Sequence, residues 1–395
     1  MKIGVDTFGC ECGKNEAGEF IKSLLRALKN VQIPDGEKLE LELFGEESER
    51  YDYVPDEDSI GNAKISFEEV LLPKSTFGIE LWHSFLCVSF FKKRGYDAVI
   101  FPCPHKFSPL KSKIPAILII SEMVSKKIES FSIFSKKRFL ISLKNAKIIA
   151  VSSQFLKKDL KNLSIPQEKI RVVRPGIDHA HFYPREKTSV SNADSGIIFV
   201  QKPYFVYNSD MTSAEKNHCK LIRAFGAFKS RTEKPHRLVL IGGGELAEKV
   251  SEEVAINPFS EDIFMTGAIA RENVPELYAN AEGFVCPSAV EGSGNSVLEA
   301  MSCGIPVLCA KSGALPEMSG ENALYFDESD EDSLSLSLSK LASLDEDERE
   351  KLISDGLSWS SRFSWENCAN ELFGSIWEVV FEKNTKKRRK IKKKK

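Results

Sequence analysis

The chain has 395 residues, 42% of them hydrophobic and 28% charged, with a formal net charge of −2. It is too long for one ordinary core and too apolar for a disordered chain, so two α/β-sized domains with a cleft are expected. No run of about 18 apolar residues marks a membrane span, MKIGVDTFGC lacks the layout of a secretory signal, and nine cysteines without a CxxC pair argue against a disulfide scaffold; a cytoplasmic protein with reduced thiols is expected.

MKIGVDTFG opens as an apolar strand, and in GEFIKSLLRALKN the residues Phe20, Leu24, Leu25 and Leu28 recur at helical spacing. YDAVIF, PAILII, AKIIAVS and KIRVVRPG then read as buried strands between Lys/Ser-rich segments, the pattern of a mainly parallel sheet. These define an N-terminal domain, residues 1–183, which carries a basic stretch with interleaved phenylalanines from Lys126 to Lys158. Between Phe182 and Ile197 the composition turns polar, placing a hinge there.

Strand and helix signals restart with PYFVYN (strand), KLIRAFGAFKSR (helix), RLVLIGG (strand), VPELYANA (helix), GFVCPS (strand), NSVLEAMS (helix) and IPVLCA (strand), a second doubly wound sheet over residues 184–364. FDESDEDSLSLSLSKLASLDEDERE is acidic and Ser/Leu-rich and reads as a surface helix. In 365–382 a stripe of Trp365, Ala369, Leu372, Phe373, Ile376, Trp377 and Val380 predicts a packing helix that returns toward the N-terminal domain. Residues 383–395, KNTKKRRKIKKKK, carry ten positive charges and are expected to be a disordered basic tail, which leaves the remainder distinctly acidic. The Lys126–Lys158 patch and the tail suit peripheral contact with an anionic membrane at its inner face; no nucleic-acid partner is expected.

The chemistry concentrates in SAVEGSGNSVLEAMSCGIPV, where Glu291 and Glu299 stand eight positions apart. GFVCPS ends at a turn that feeds helix NSVLEAMS, so Glu291 lies at the carboxyl end of a strand, the rim where open α/β sheets bind ligands. The helix start offers unpaired N–H groups and a positive dipole end to a diphosphate, with Gly292, Ser293, Gly294, Asn295 and Ser296 around it and Ser or Asn as the cap. Carboxylates beside a phosphate site face hydroxyls best, and a sugar nucleotide has both groups: Glu291 is placed to reach the sugar and Glu299 the ribose.

From about Lys144 to Glu382 the chain resembles the retaining family 4 glycosyltransferases, through AVSSQFLKKDL, EKIRVVRPGID, KNHCKLIRAF, LVLIGGGEL, MTGAI, LYANAEGFVCPSAVEGSGNSVLEAMSCGIPV, ALPEM and FSWENCANELF. The resemblance implies the GT-B fold, an α/β architecture of two Rossmann-like domains facing a cleft, the second binding the donor and the first the acceptor. It implies transfer of a sugar from a nucleotide-diphosphate sugar to a glycan, lipid-linked or other hydroxyl acceptor, as in cell-envelope polysaccharide synthesis. The anomeric configuration would be retained, with no cofactor beyond the co-substrate and no metal. By position Glu291 is the family's first glutamate, at the donor sugar and its developing charge; Glu299 is the ribose glutamate; Lys216 of EKNH holds the diphosphate. Gly18, in the first loop, borders the donor phosphates.

Two positions depart from the pattern. Asp210 stands where relatives have an arginine six residues before the lysine, with Lys202, Lys220 and Arg223 as substitutes, and Ser121-Glu122 stand where the acceptor-side strand of relatives ends in His-Asp. Other motifs are weaker. GCECGKN has one residue too few for a P-loop, GGGE at Gly242 reads as a strand-end turn, and His179 and His181 lack a third metal ligand. The alternatives to a transferase are a non-catalytic binding protein of the same fold and a sugar-nucleotide epimerase.

Overall fold

The computed structural model describes residues 1–186 and 202–392, apart from 14, 35–36, 47–52, 54–58, 61–62 and 73–74. Most of the hinge expected at 182–197 therefore lies outside the described residues, as do 393–395. The chain divides into one unit of Met1–Gly176 with Trp365–Lys395 and a second of Ile177–Ser364. The division falls before the expected 183/184 because Ile177 already bridges to Ser364 and donates to Phe363 O, while Phe182 packs on Tyr278.

In the first unit β1 (Lys2–Asp6), β2 (Leu39–Gly45), β3 (Ser59–Ile60), β4 (Ala63–Glu69), β5 (Ala98–Phe101), β6 (Ala116–Ile120), β7 (Ile148–Val151) and β8 (Ile170–Val172) form one sheet in the order β3-β4-β2-β1-β5-β6-β7-β8. All neighbours pair in parallel except β3 with β4. Strands such as AVIF and IIAV are buried throughout, as required of a parallel sheet covered on both faces. The order reverses between β1 and β5, which opens a crevice at their carboxyl ends.

The helix Trp365–Lys392 belongs to this unit. It buries Cys368, Ala369, Leu372, Phe373, Ile376, Trp377 and Val380 in the same core as β1 and the helix Glu16–Ala27. Gln32 N–H donates to Asn370 Oδ1 at 2.8 Å, and Phe20 meets Trp365 edge-on at 5.6 Å. Most of the segment expected as a disordered tail continues this helix to Lys392, since lysine and arginine are good helix formers and Pro or Gly does not interrupt them.

The second unit is a six-stranded parallel sheet, β11-β10-β9-β12-β13-β14, of β9 (Tyr204–Asn208), β10 (Arg237–Ile241), β11 (Ile263–Gly267), β12 (Gly283–Cys286), β13 (Val307–Ala310) and β14 (Leu324–Phe326). Its reversal lies between β9 and β12, paired Gly283 to Phe205 and Phe284 to Val206. Each unit thus has the Rossmann-like α/β architecture. The acidic Leu/Ser segment forms two helices, Glu331–Leu341 and Glu346–Ser360, and the first is more than a surface element: Leu334, Leu338 and Leu341 are wholly buried.

Candidate functional site

The β9/β12 reversal puts the ends of these two strands side by side, and each is followed by a loop bearing one of the sequence-selected residues. After β9 the chain runs to a 3-10 turn, Ala214–Lys216, and then to Asn217 in the left-handed conformation (φ 58°), which asparagine tolerates better than most side chains. Tyr207 Oη donates to Lys216 O at 3.0 Å, and Asn217 Nδ2 donates to Pro287 O at 2.8 Å, tying this turn to the segment after β12. Ala289 N–H donates to Glu215 O from the other side at 2.8 Å.

Glu291 is held by its backbone. Its carbonyl accepts from Ala314 N–H at 2.8 Å, and Gly313 (φ +59°) packs so close that a Cβ there would lie 2.8 Å from both Glu291 N and O. Across the reversal Lys216 Nζ meets Glu291 Oε2 at 3.0 Å, with both side chains largely buried. Burial pulls the Lys216 ammonium down, but Glu291 and then Asp210 outweigh it and hold it above the ordinary lysine value. The site therefore carries a fixed cation at neutral pH.

Helix Asn295–Ser302 starts beside this pair. The structure corrects the expected cap: Gly294, left-handed at φ +63°, occupies the position and no side chain caps the first turn, because the chain must reverse there in a conformation that Ser and Asn adopt at a cost. Gly292, Ser293 and Ser296 share the turn, Ser293 being buried, and Asn295 Oδ1 is buried with no hydrogen-bond partner. Glu299 lies one turn in, buried, and its Oε1 accepts from Arg271 Nη2 at 2.6 Å. Arg271 follows β11 and lies over the Phe182 ring at 5.0 Å. Sequence reasoning missed it, and no local signal marks it, since the pair closes over 28 residues.

The departures have structural counterparts. Asp210 Oδ1 accepts from Thr212 Oγ1 at 2.7 Å, within the β9 loop. The three suggested substitutes are engaged elsewhere: Lys202 donates to Asn280 Oδ1 from the amino end of β9, Lys220 to Glu328 O, and Arg223 pairs with Glu253 at 3.1 Å. GGGE is a strand-end turn, with Gly242 (φ +129°) so placed that a Cβ would lie 2.0 Å from Ser209 O.

The first unit has its own cavity, about 410 Å³, at the carboxyl ends of β1, β5 and β6. Ser121 and Glu122 line it, Glu122 pairing with Lys127 at 3.1 Å, together with Glu11, Glu16 and His105. Burial, then Lys127 and Lys106, push His105 down to about 3, so it is neutral. Sequence reasoning also missed His105, four residues beyond the strand run YDAVIF. Gly18, in the same unit, donates from its N–H to Asn15 Oδ1, and a Cβ there would lie 2.4 Å from Cys10 O: its space is filled by the first loop. Among the described residues no group of three or more His, Cys, Asp or Glu is arranged to hold a metal, and no helix is long and apolar enough to cross a membrane.

Residues 193–359 match the family Glycosyl transferases group 1. The chain is 31% identical over 241 residues to the O-antigen chain mannosyltransferase B of Escherichia coli, covering 60% of this chain and 62% of the relative. It is 24% identical over 206 residues to the GDP-mannose-dependent alpha-(1-6)-phosphatidylinositol monomannoside mannosyltransferase of Mycolicibacterium smegmatis, covering 50% and 53%. The alignments thus span little more than half of these curated relatives. In fold the chain is similar to Anabaena HepE in complex with UDP and glucose (TM-score 0.70, 16% identity, 96% of this chain and 100% of that one). It is similar also to the sucrose-phosphate synthase of Thermosynechococcus elongatus (TM-score 0.71, 17% identity, 97% and 99%).

Proposed function

We propose, from the premise that the chain belongs over residues 193–359 to the group 1 glycosyltransferases and has their two-unit α/β fold, that it transfers a sugar from a nucleotide-diphosphate donor to a hydroxyl acceptor with retention of configuration. The observation that carries this reading is the Lys216–Glu291 pair at the β9/β12 reversal, beside a helix start that no side chain caps. The donor diphosphate takes the helix N-terminus, and Lys216 turns from Glu291 to the phosphates, where it stabilises the charge that grows on the leaving nucleoside diphosphate. Glu291, so released, accepts from the sugar hydroxyls and faces the positive charge developing at the anomeric carbon. Glu299 accepts from the ribose. Lys216 and the helix dipole supply the positive charge, so no resident metal is needed in this reading.

The named relatives make GDP-mannose and UDP-glucose the first donors to try. The acceptor is assigned to the first-unit cavity, whose carboxylates Glu11, Glu16 and Glu122 suit a hydroxyl-rich glycan, and a place in cell-envelope polysaccharide synthesis at the inner membrane face fits the mannosyltransferase relatives. The test is nucleotide release from a panel of GDP-, UDP-, ADP- and dTDP-sugars. One donor should be turned over, and Lys216→Ala and Glu291→Ala should each abolish most of the release; unchanged release in both variants would overturn the catalytic assignment of these residues, and no release from any donor by the natural chain would favour a binding protein. Recovery of an epimerised donor in place of free nucleotide would favour an epimerase.

A further inference from the structure

The second unit has a pocket of about 380 Å³ between the helices His218–Thr232 and Ala247–Ile256, with Met211, Ser213 and Ala214 of the loop after β9 in its wall. Lys216, Glu291 and Glu299 do not line it, so it is separate from the paired carboxylates. Its volume is in the range of sites for small ligands.

The wall is positively charged. Lys249 is exposed, Lys220 donates to Glu328 O, and Arg223 pairs at 3.1 Å with Glu253, a carboxylate of the same wall whose charge is thereby offset. Neither helix start has a side-chain cap. In the first, Asn217 uses its side chain on Pro287 O, and the ladder begins with Leu221 N–H donating to Asn217 O at 3.0 Å. The N–H groups of His218, Cys219 and Lys220 therefore have no partner within the helix. Cations and uncapped helix starts around one pocket favour an anion.

His218 narrows the choice of anion. It lines the pocket at 4% exposure, packs against the Tyr207 ring at 4.9 Å and bonds to the Ser209 carbonyl, while its Nε2 is buried without a partner. Burial holds it at about 4, so the ring is neutral at pH 7. A carbonyl only accepts, so the single ring proton is on the nitrogen that meets Ser209, and Nε2 presents a lone pair. A buried acceptor left in this way needs a donor. The ionised phosphate of a monoester offers none, and a hydroxyl elsewhere in the same molecule does.

We propose that this pocket binds a phosphate monoester that carries hydroxyl groups, the class of a sugar monophosphate: the phosphate takes Lys249, Lys220 and the uncapped helix starts, and a hydroxyl donates to His218 Nε2. Binding does not rest on the proposed sugar transfer. It bears on it, because the loop in the pocket wall continues into the Ala214–Lys216 turn, so an occupant fixes the segment that presents Lys216 to Glu291.

The experiment is calorimetric titration of the full chain with glucose 6-phosphate, mannose 6-phosphate, inorganic phosphate, glucose and UDP. Cys219 locates the binding, since it lines the pocket as a partly exposed free thiol whose alkylation by iodoacetamide is followed by peptide mass spectrometry. A sugar phosphate at ten times its dissociation constant should slow that labelling about tenfold, because only the empty fraction reacts. Inorganic phosphate should bind more weakly, and glucose and UDP should give no protection. Lys249→Glu, at an exposed position, should abolish protection by both kinds of phosphate with the thermal midpoint of the empty chain unchanged. His218→Asn keeps a group to meet Ser209 but lacks Nε2, and should reduce the affinity for the sugar phosphates to that for inorganic phosphate. No binding of either sugar phosphate, protection that survives Lys249→Glu, or inorganic phosphate bound as tightly as the sugar phosphates by the natural chain overturns the proposal. Protection of Cys219 by UDP also overturns it, since the pocket would then belong to the donor site. Nucleotide release plays no part in these readouts, so the proposed function and this site fail separately.

Discussion

Lys216 and Glu291, 75 residues apart in the chain, meet at 3.0 Å because β9 and β12 are neighbours at the point where the strand order of their sheet reverses. Each sits in a loop pinned by backbone contacts, through Tyr207 and Asn217 on one side and Gly313 and Ala314 on the other.

If the pair separates on donor binding as proposed, its two members should fail differently. Lys216→Met removes charge stabilisation from the leaving group and should lower kcat by about a hundredfold, in the range found for a lost electrostatic donor. Glu291→Gln should lower kcat similarly while tightening the binding of free nucleoside diphosphate, since Lys216 is then no longer held by a carboxylate. Calorimetric titration of the diphosphate product checks it: weaker binding to Glu291→Gln than to the natural chain contradicts the exchange.

Glu299 accepts from Arg271 in a buried setting. Glu299→Gln should raise the donor KM about tenfold and leave kcat nearly unchanged, the signature of binding lost equally from ground and transition states. Arg271→Gln should raise it less. Initial rates over donor concentration decide; a change confined to kcat speaks against a ribose role.

Gly313→Val places a branched side chain at φ +59° against the Glu291 backbone. It should destabilise the fold by about 2 kcal/mol or more, from the left-handed strain and the contact together. Activity should fall further than stability does, because the atom displaced belongs to Glu291. Urea midpoints and rates on the same preparation compare the two.

Burial holds His105 at about 3 and His218 and His236 at about 4, below the ordinary histidine value of 6.5. The unfolded chain takes up these protons as pH falls below that value and the folded chain does not. Stability is therefore full above about pH 6.5 and declines as the pH falls toward 4. Glu42 acts lower: burial raises its carboxyl, but hydrogen bonds from Arg94, Lys2 and Tyr96 hold it at about 2, so its contribution is present above 4.5 and is lost toward 2. His236 stacks on Phe205 at 5.0 Å with both ring nitrogens unpartnered. His236→Phe should keep the packing and shrink the drop in urea midpoint between about pH 7 and about pH 5; an equal drop in both proteins would rule this out.

The strands that could be read in the sequence are those buried on both faces, such as AVIF, AILII and GFVC, which appear as short apolar runs. β2 and β4 were passed over although LELELFG alternates in the manner of a strand; what the sequence does not show is that Glu42, buried there, is compensated from a distance, accepting from Arg94, 52 positions on, at 2.6 Å. Helix Asn295–Ser302 was legible to the residue. Its cap was not, since side-chain propensity favoured Ser or Asn while the turn required a left-handed φ at Gly294. Glu291 was found by type and spacing and Lys216 only through the resemblance carried by EKNH, whereas Arg271 and His105 became visible only once strand order had brought distant loops together.

The chain leaves the first unit at Gly176 and re-enters it at Trp365, so the second unit is an insertion within the first. During synthesis the inserted half can be finished while the half begun earlier still lacks the helix that covers its core from Cys368 to Val380. The sheet of the first unit thus waits, partly uncovered, until residues 365–380 have followed the whole of the inserted unit.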